Sequence, residues 1–278
     1  MKNILIISSK KYTKLKSFTD LIKLIESKKL NYLTLNVEDN ETYKDFLNSE
    51  TLVVSFGGDG TALKAMKVSW KHDLLFMPLG TGRVGYLVNK SEHVDKVLSS
   101  WISGDVHVDK RYAIIQDNNL VLPAFNEVVL IKNSPTRILD IVFKTYDQTV
   151  KLRADGIIIS TSLGSTAYNY SAGGPIVHNS LDSIIITPIS PFSKFPRSVV
   201  FDKYSNIEEL MVIGGGDLYR QLLPVATHLW LTYVDWVGKG DAFFPEFDQQ
   251  QWQVITAEAH LADDTNKHAC EFVQLERL

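Results

Sequence analysis

Apolar positions fall into short continuous runs, alternating runs and helical stripes, and their order along the chain already suggests an architecture. Residues 3–7 (Asn3-Ile4-Leu5-Ile6-Ile7) form an unbroken apolar run of the kind that fills a strand buried on both faces. Residues 11–29 place Leu15, Phe18, Leu21, Ile22 and Ile25 three and four apart, the period of an amphipathic helix. Thr51-Leu52-Val53-Val54-Ser55-Phe56 then reads as a strand, 60–70 as a helix and 74–79 as a further strand. Strands alternating with helices predict a parallel sheet. From about 106 to 200 the pattern turns to short β-rich runs at 112–116, 125–132, 137–146, 156–161 and 183–189, which predicts an antiparallel β-domain. After 208 come a strand (209–213), glycines, a helix (217–223) and strands at 228–234, 251–259 and 269–276. The predicted class is therefore α/β plus β, in three parts: 1–100, 101–205 and 206–278. No internal repeat appears.

Composition sharpens the last boundary. Residues 1–205 hold 25 Lys and Arg against 20 Asp and Glu, a net of +5, whereas 206–278 hold 4 against 12, a net of −8. Six of the eight glutamines and three of the five tryptophans also fall in the last part. An acidic surface beside a basic one would give such a shift, and so would the joining of two sequences of different ancestry. The chain as a whole has 278 residues, 45% of them hydrophobic and 10% aromatic, with a net charge of −3, so extensive disorder is excluded. Cys270 is the single cysteine, which excludes a disulfide scaffold and suits a reducing cytoplasm. No apolar run reaches the length of a membrane span, and the start reads as a first strand rather than a signal peptide. The lysines within 10–29 read as a solvated helix face, the acidic tail argues against nucleic acid, and the seven histidines show no metal-ligand spacing.

Four stretches carry candidate chemistry. Gly57-Gly58-Asp59-Gly60-Thr61 follows a strand and opens a helix. Glycines let backbone N–H groups approach phosphate oxygens, and a helix N-terminus favours an anion. An aspartate there repels phosphate, so it fits a base for an attacking hydroxyl or a metal partner; an ordinary strand-to-helix turn with Asp near the cap would look similar. Gly80-Thr81-Gly82-Arg83-Val84-Gly85 is a literal GxGxxG, but without an acidic residue closing a second strand it reads as a tight loop beside the phosphate site. Asn126-Glu127 sits inside the apolar run 122–131, where an amide and a carboxylate must find partners, either in a ligand or as a loop-end pair. Finally, 153–174 carries a strand of isoleucines into small hydroxyl residues, aromatic rings and Gly173-Gly174. This could bind ribose, phosphate and a base, or be a loop with a helix cap.

In order and spacing, GGDGT at 57–61, Asn126-Glu127, and the run from Asp155 through Gly164-Ser165-Thr166-Ala167-Tyr168 to Gly173-Gly174-Pro175 resemble the NAD kinase family over residues 1–203. The chain departs from the family pattern at Ser160-Thr161-Ser162, Val84-Gly85-Tyr86 and His178-Asn179. The resemblance implies phosphorylation of the 2′-hydroxyl of the adenosine ribose of NAD, with ATP or polyphosphate as donor, a divalent metal such as Mg²⁺, and a homo-oligomer. It implies Asp59 as general base and Gly57, Gly58, Gly60 and Thr61 along the phosphates. Asn126 and Glu127 would hold the adenosine, and Arg153, Asp155, Thr166, Ala167, Tyr168, Asn169 and Ser171 would complete the NAD pocket.

Residues 208–278 resemble instead the C-terminal part of bacterial dihydrofolate reductase. The matching residues are Glu209 to Tyr219, Leu223-Pro224, Leu231 to Asp235, Gly240 to Pro245, Trp252 and Cys270 to Arg277. That likeness implies a vestigial dinucleotide contact at Gly214, Gly215 and Gly216. The reductase's N-terminal half, with its folate-binding carboxylate, has no counterpart in this sequence. The family tail that follows the kinase-like part is replaced. Three expectations result: an NAD kinase with an unusual C-terminus, a catalytically impaired fusion of two incomplete enzymes, or a reductase-like NADPH-binding protein.

Overall fold

A computed structural model of the chain describes residues 2–38, 43–81, 93–115, 123–132, 138–145, 149–192, 197–205, 207, 209–240 and 243–278. The chain divides into two compact units, Met1–Val128 with Ser160–Ile185, and Val129–Ile159 with Ile186–Leu278.

The first unit is built on a parallel sheet of order β2-β1-β3-β4, formed by β1 (Asn3–Ser8), β2 (Asn31–Asn36), β3 (Leu52–Gly57) and β4 (Leu75–Gly80). The central strands β1 and β3 read as nearly continuous apolar runs because both of their faces are covered. Ile4 and Ile6 point into one core with Val54, Phe56, Leu79 and the helices α1 (Lys16–Ser27) and α3 (Val94–Ser103). Leu5, Ile7 and Val53 point into the other, against Ala65 and Val68 of α2 (Asp59–His72). The helices that follow β1 and β3 thus lie on opposite faces. In open α/β sheets such a switch opens a crevice beyond the carboxyl ends of the two neighbouring strands. Here those ends are tied, as the Ser8 hydroxyl donates to the Phe56 carbonyl at 2.7 Å.

α1 starts later than its period suggests. Residues 10–14 form turns, with the Tyr12 N–H donating to the Ser9 carbonyl at 2.9 Å and the Leu15 N–H to the Tyr12 carbonyl at 3.0 Å. Leu15 is the extended residue before the helix, so Lys10, Lys11 and Lys14 belong to a loop and not to a helix face. β2 and α3 were not foreseen. Both carried a local signal: Leu33, Leu35 and Val37 alternate with Thr34 and Asn36 and pack against the second core, and Val94, Val97, Leu98 and Trp101 stand three and four apart along α3.

A second sheet has the order β10-β9-β8-β5, from β5 (Glu127–Ile131), β8 (Gly156–Thr161), β9 (Ser183–Ile189) and β10 (Val199–Asp202). In the second unit, β6 (Leu139–Lys144) and β7 (Thr149–Ala154) pair antiparallel, and β11 (Glu209–Ile213) joins β6 antiparallel on its free side. After α5 (Gly216–Leu222), the strands β12 (His228–Val234), β13 (Trp252–His260) and β14 (Cys270–Arg277) form an antiparallel sheet of order β12-β14-β13. Leu229, Trp252, Val273 and Leu275 make its core, and the Arg277 guanidinium stacks on the Trp252 ring at 4.3 Å. The 112–116 run contributes a single bridge, Ile114 to Ala124. No helix among the described residues is long and apolar enough to cross a membrane.

Candidate functional site

Gly57 closes β3 and Gly58 caps α2 in an extended conformation, with Asp59 as the first helical residue. The first turn of a helix leaves leading N–H groups without intrahelical partners, and they point out of the carboxyl end of the sheet. Gly58 and Asp59 are half-buried, Gly60 is exposed and Thr61 is buried. One side of α2 anchors the loop: Met66 is buried with Phe125 and Leu163, and Leu63 packs against the same cluster. The helix that presents Asp59 is thereby packed on the segments that carry the other two motifs of this unit. The GxGxxG stretch continues β4 only through Gly80 and Thr81; its remaining residues, 82–85, lie outside the described residues.

Those two segments are pinned backbone to backbone. The Asn126 carbonyl accepts from the Thr161 N–H at 2.9 Å and from the Ser160 hydroxyl at 3.2 Å. The Thr161 hydroxyl donates to the Phe125 carbonyl at 2.6 Å and accepts from the Gly164 N–H at 3.0 Å. Glu127 follows at the start of β5. Its Oε2 is enclosed with no hydrogen-bond partner, and burial raises its carboxyl above the usual carboxylate range. A buried acceptor without a donor is costly unless a ligand or water supplies one.

Downstream, Leu163–Thr166 forms a 3-10 turn and α4 (Tyr168–Ser171) one further turn. Ser165 and Asn169 are fully buried. The Ser165 hydroxyl exchanges hydrogen bonds of 3.1 Å with the backbone of Val177, and the Asn169 amide donates at 3.0 Å to the carbonyls of Ser165 and Pro175. Both therefore brace the loop that continues into Gly173-Gly174. Tyr168, Tyr170 and Ser171 are exposed, and Thr166 and Ala167 half-buried.

Arg153 and Asp155 belong to the second unit. The Arg153 Nε donates to the Asp140 carboxylate at 2.9 Å, and its guanidinium lies 5.9 Å from the centre of the Phe192 ring. Asp155 is ion-paired with Lys132, a partner that the sequence did not signal. Gly214 and Gly216 of the triple glycine make close approaches to their own chain. An ideal Cβ on Gly214 would meet Leu218 at 2.5 Å, one on Gly216 would meet the Phe243 carbonyl at 2.6 Å, and the Gly214 N–H donates to the Tyr219 hydroxyl at 3.0 Å. Among the described residues no group of three His, Cys, Asp or Glu stands ready to hold a metal.

Two family models match. "ATP-NAD kinase C-terminal domain" covers residues 125–220 and "Dihydrofolate reductase" covers residues 183–277. A bifunctional NADP phosphatase/NAD kinase of Methanocaldococcus jannaschii is 37% identical over 184 residues, 60% of this chain but only 32% of that protein. An NAD kinase of Methanocorpusculum labreanum is 33% identical over 222 residues, covering 74% of this chain and 80% of that protein. In fold, the chain is similar to an NAD kinase from Archaeoglobus fulgidus solved in complex with ATP, with a TM-score of 0.58 and 21% identity, over 76% of this chain and 86% of that one. With the three motifs in order and the likeness running over four fifths of the Methanocorpusculum enzyme, the chain belongs to the NAD kinase family.

Proposed function

We propose that this protein transfers the terminal phosphoryl group of ATP to the 2′-hydroxyl of the adenosine ribose of NAD, giving NADP and ADP. Asp59 acts as general base: its carboxylate takes the hydroxyl proton while the ribose oxygen bonds to the γ-phosphorus and the bond to the β-phosphate oxygen breaks. The observation that carries this reading is the placement of Asp59 at the head of α2, on a helix packed through Met66 onto Phe125 and Leu163. A carboxylate repels phosphate, so its presence among phosphate-binding amides makes chemical sense where a proton must be removed. Gly57, Gly58, Gly60 and Thr61 receive the phosphates of the Mg-ATP substrate, whose charge the divalent ion would neutralise. Asn126 and Glu127 hold the adenosine, and the enclosed Glu127 oxygen accepts from a donor on it. By family resemblance Thr166, Ala167, Tyr168, Asn169, Ser171, Arg153 and Asp155 take the rest of NAD. By family likeness the protein is a homo-oligomer, a state that light scattering reads directly.

The reductase-like part serves as structure rather than as a second enzyme. We place the junction near 203–208, giving parts of 1–100, 101–205 and 206–278. The support for the structural role is that Gly214 and Gly216 lie close against Leu218 and Phe243, the Gly214 N–H donates to the Tyr219 hydroxyl, and β11 is built into the β6–β7 sheet. The protein should not oxidise NADPH with dihydrofolate.

The decisive assay is NADP formation from NAD and Mg-ATP by the purified protein and by Asp59→Asn, with polyphosphate as the alternative donor. Loss of a general base should lower the rate by about 10²- to 10⁴-fold. A monodisperse wild type that makes no NADP from either donor would show the impaired-fusion reading to be the right one.

A further inference from the structure

The loop between β1 and α1 faces the same crevice as the Gly57–Thr61 loop and supplies one side chain to it. The Tyr12 ring is half-buried, packed against the core cluster of α1 and α3, and its edge lies 3.2 Å from where a Cβ on Gly57 would sit. Its hydroxyl lies 4.0 Å from where a Cβ on Gly58 would sit, beside the N-terminal end of α2. Lys11 sets its ammonium 4.7 Å from the centre of the Tyr12 ring, so the cation rests on the phenol face. In the same loop the Ser9 hydroxyl is enclosed and has no hydrogen-bond partner. Such a loop brings a neutral O–H donor and a positive charge to a helix end that already favours an anion.

We propose that Tyr12 and Lys11 form a second wall of the phosphate site and recognise the polyphosphate chain of the phosphoryl donor. This rests on the phosphoryl-transfer reading above and extends it to the donor's phosphates. Tyr12 donates its hydroxyl hydrogen to a phosphate oxygen held on the Gly58–Gly60 amides. Lys11 contributes charge across the ring. The contact is to phosphate and not to the adenine base, so ATP and inorganic tripolyphosphate should feel it alike, whereas NAD should not. The loop is fixed for this task by sheet topology. β1 and β3 are adjacent, and the Ser9–Leu15 turn that leaves β1 reaches the end of β3 through the contact of the Tyr12 ring with Gly57.

The test is Tyr12→Phe, which keeps the packed ring, beside Lys11→Gln. In initial-rate assays, Tyr12→Phe should raise KM for Mg-ATP about tenfold, the loss of one hydrogen bond to a charged group, and leave KM for NAD within about twofold. Lys11→Gln should raise KM for Mg-ATP about threefold at low salt and less at high salt, where exposed charges are screened. Calorimetric titration with ATP and with tripolyphosphate supplies the readout that does not depend on turnover. Equal weakening of both ligands in Tyr12→Phe, with an unchanged melting temperature, is the expected result. Unchanged binding of both, or an equal change in the NAD constant, overturns the proposal. A wild type that binds tripolyphosphate in a Tyr12-dependent way but makes no NADP overturns only the phosphoryl-transfer reading. One that binds neither ATP nor tripolyphosphate overturns both.

Discussion

Gly164 touches the backbone of Asn126: an ideal Cβ at Gly164 would lie 2.1 Å from the Asn126 carbonyl oxygen and 2.5 Å from its carbonyl carbon. The residue that begins the Gly-Ser-Thr-Ala-Tyr run and the amide residue of the Asn-Glu pair are thus in direct contact, main chain to main chain. Neither backbone can give way easily, because the same Asn126 carbonyl already accepts from Thr161 and Ser160. Gly164→Ala should therefore cost on the order of 2–4 kcal/mol of folding stability by overpacking. Urea unfolding should show the midpoint falling with the slope unchanged. KM for NAD should rise in the protein that remains folded, because Asn126 and Glu127 are displaced together.

Gly60 offers the opposite case. An ideal Cβ there meets nothing within 4 Å, and the residue lies in the first turn of α2. Alanine is the better helix former by about 0.5–1 kcal/mol, so Gly60→Ala should leave the melting temperature unchanged or raise it slightly. The methyl group would stand where a phosphate must approach the amides, so ATP binding should weaken at the same time. Stability up and ATP affinity down in one variant separates a ligand requirement from a folding requirement. Intact ATP affinity would show that phosphate does not come close at Gly60.

In the parallel half, β1 and β3 were legible because they are buried on both faces and β3 runs into glycines. Residues 3–7 and 51–56 can hardly be anything else. The start of α1 was not legible, because Tyr12 is drawn to Gly57, a contact across 45 positions that local periodicity cannot register. Thr149–Ala154 was missed as a strand because its alternation carries lysine and arginine outward, and only pairing with Leu139–Lys144 completes it. In the candidate site, glycines after a strand and Asp59 at a helix start point to phosphate chemistry by residue type, whereas a nucleoside role for Asn126-Glu127 rests on the family resemblance. The bracing of the site was not legible: the bonds of the Ser165 hydroxyl to Val177 and of the Asn169 Nδ2 to the Ser165 and Pro175 carbonyls are contacts that residue type does not announce.

Glu127 gives a pH dependence of definite sign. Its carboxyl is raised by burial, so the folded protein prefers the neutral acid more than the unfolded chain does. The stability this contributes is fully present below the unfolded value and is lost as pH rises through the folded one. Glu127→Gln stays neutral throughout. Its stability relative to wild type should therefore climb across that interval and then level off, measured by thermal unfolding at a series of pH values. NAD affinity should behave in reverse, falling in the wild type as acid protonates Glu127, with Glu127→Gln weak and independent of pH. A wild type whose NAD affinity is flat across the same range would exclude an ionised Glu127 from the site.

Asp263 supplies a dependence of the other sign in the turn between β13 and β14. It accepts from the Thr265 hydroxyl at 2.7 Å, the Asn266 N–H at 2.6 Å and the Thr265 N–H at 2.8 Å, and these donors hold its carboxyl down at about 2. A depressed carboxylate stabilises above its unfolded value, and that contribution disappears as pH falls from about 4 towards 2. Asp263→Ala should lose the turn at every pH and so flatten this part of the acid-unfolding curve. Amide exchange at Thr265 and Asn266 is the local measurement, with faster exchange expected in the variant at neutral pH.

The last prediction concerns how far the C-terminal part reaches. Ile213 of β11 stands in register with Asp140 of β6, and Asp140 in turn with Arg153 of β7, whose guanidinium it holds at 2.9 Å. The reductase-like strand is thus two strands away from a residue assigned to the NAD pocket. Leu218 of α5 locks this arrangement, because it is buried and packs beside Gly214. Leu218→Ala should cost about 2–4 kcal/mol through lost burial and the cavity left behind. If the C-terminal part were a passenger, the fluorescence of Trp230, Trp236 and Trp252 would report its loosening while NADP formation continued unchanged. The register from Ile213 through Asp140 to Arg153 leads to the other expectation: KM for NAD rises in the same variant, and the tryptophan transition and the loss of NADP formation coincide on a urea titration.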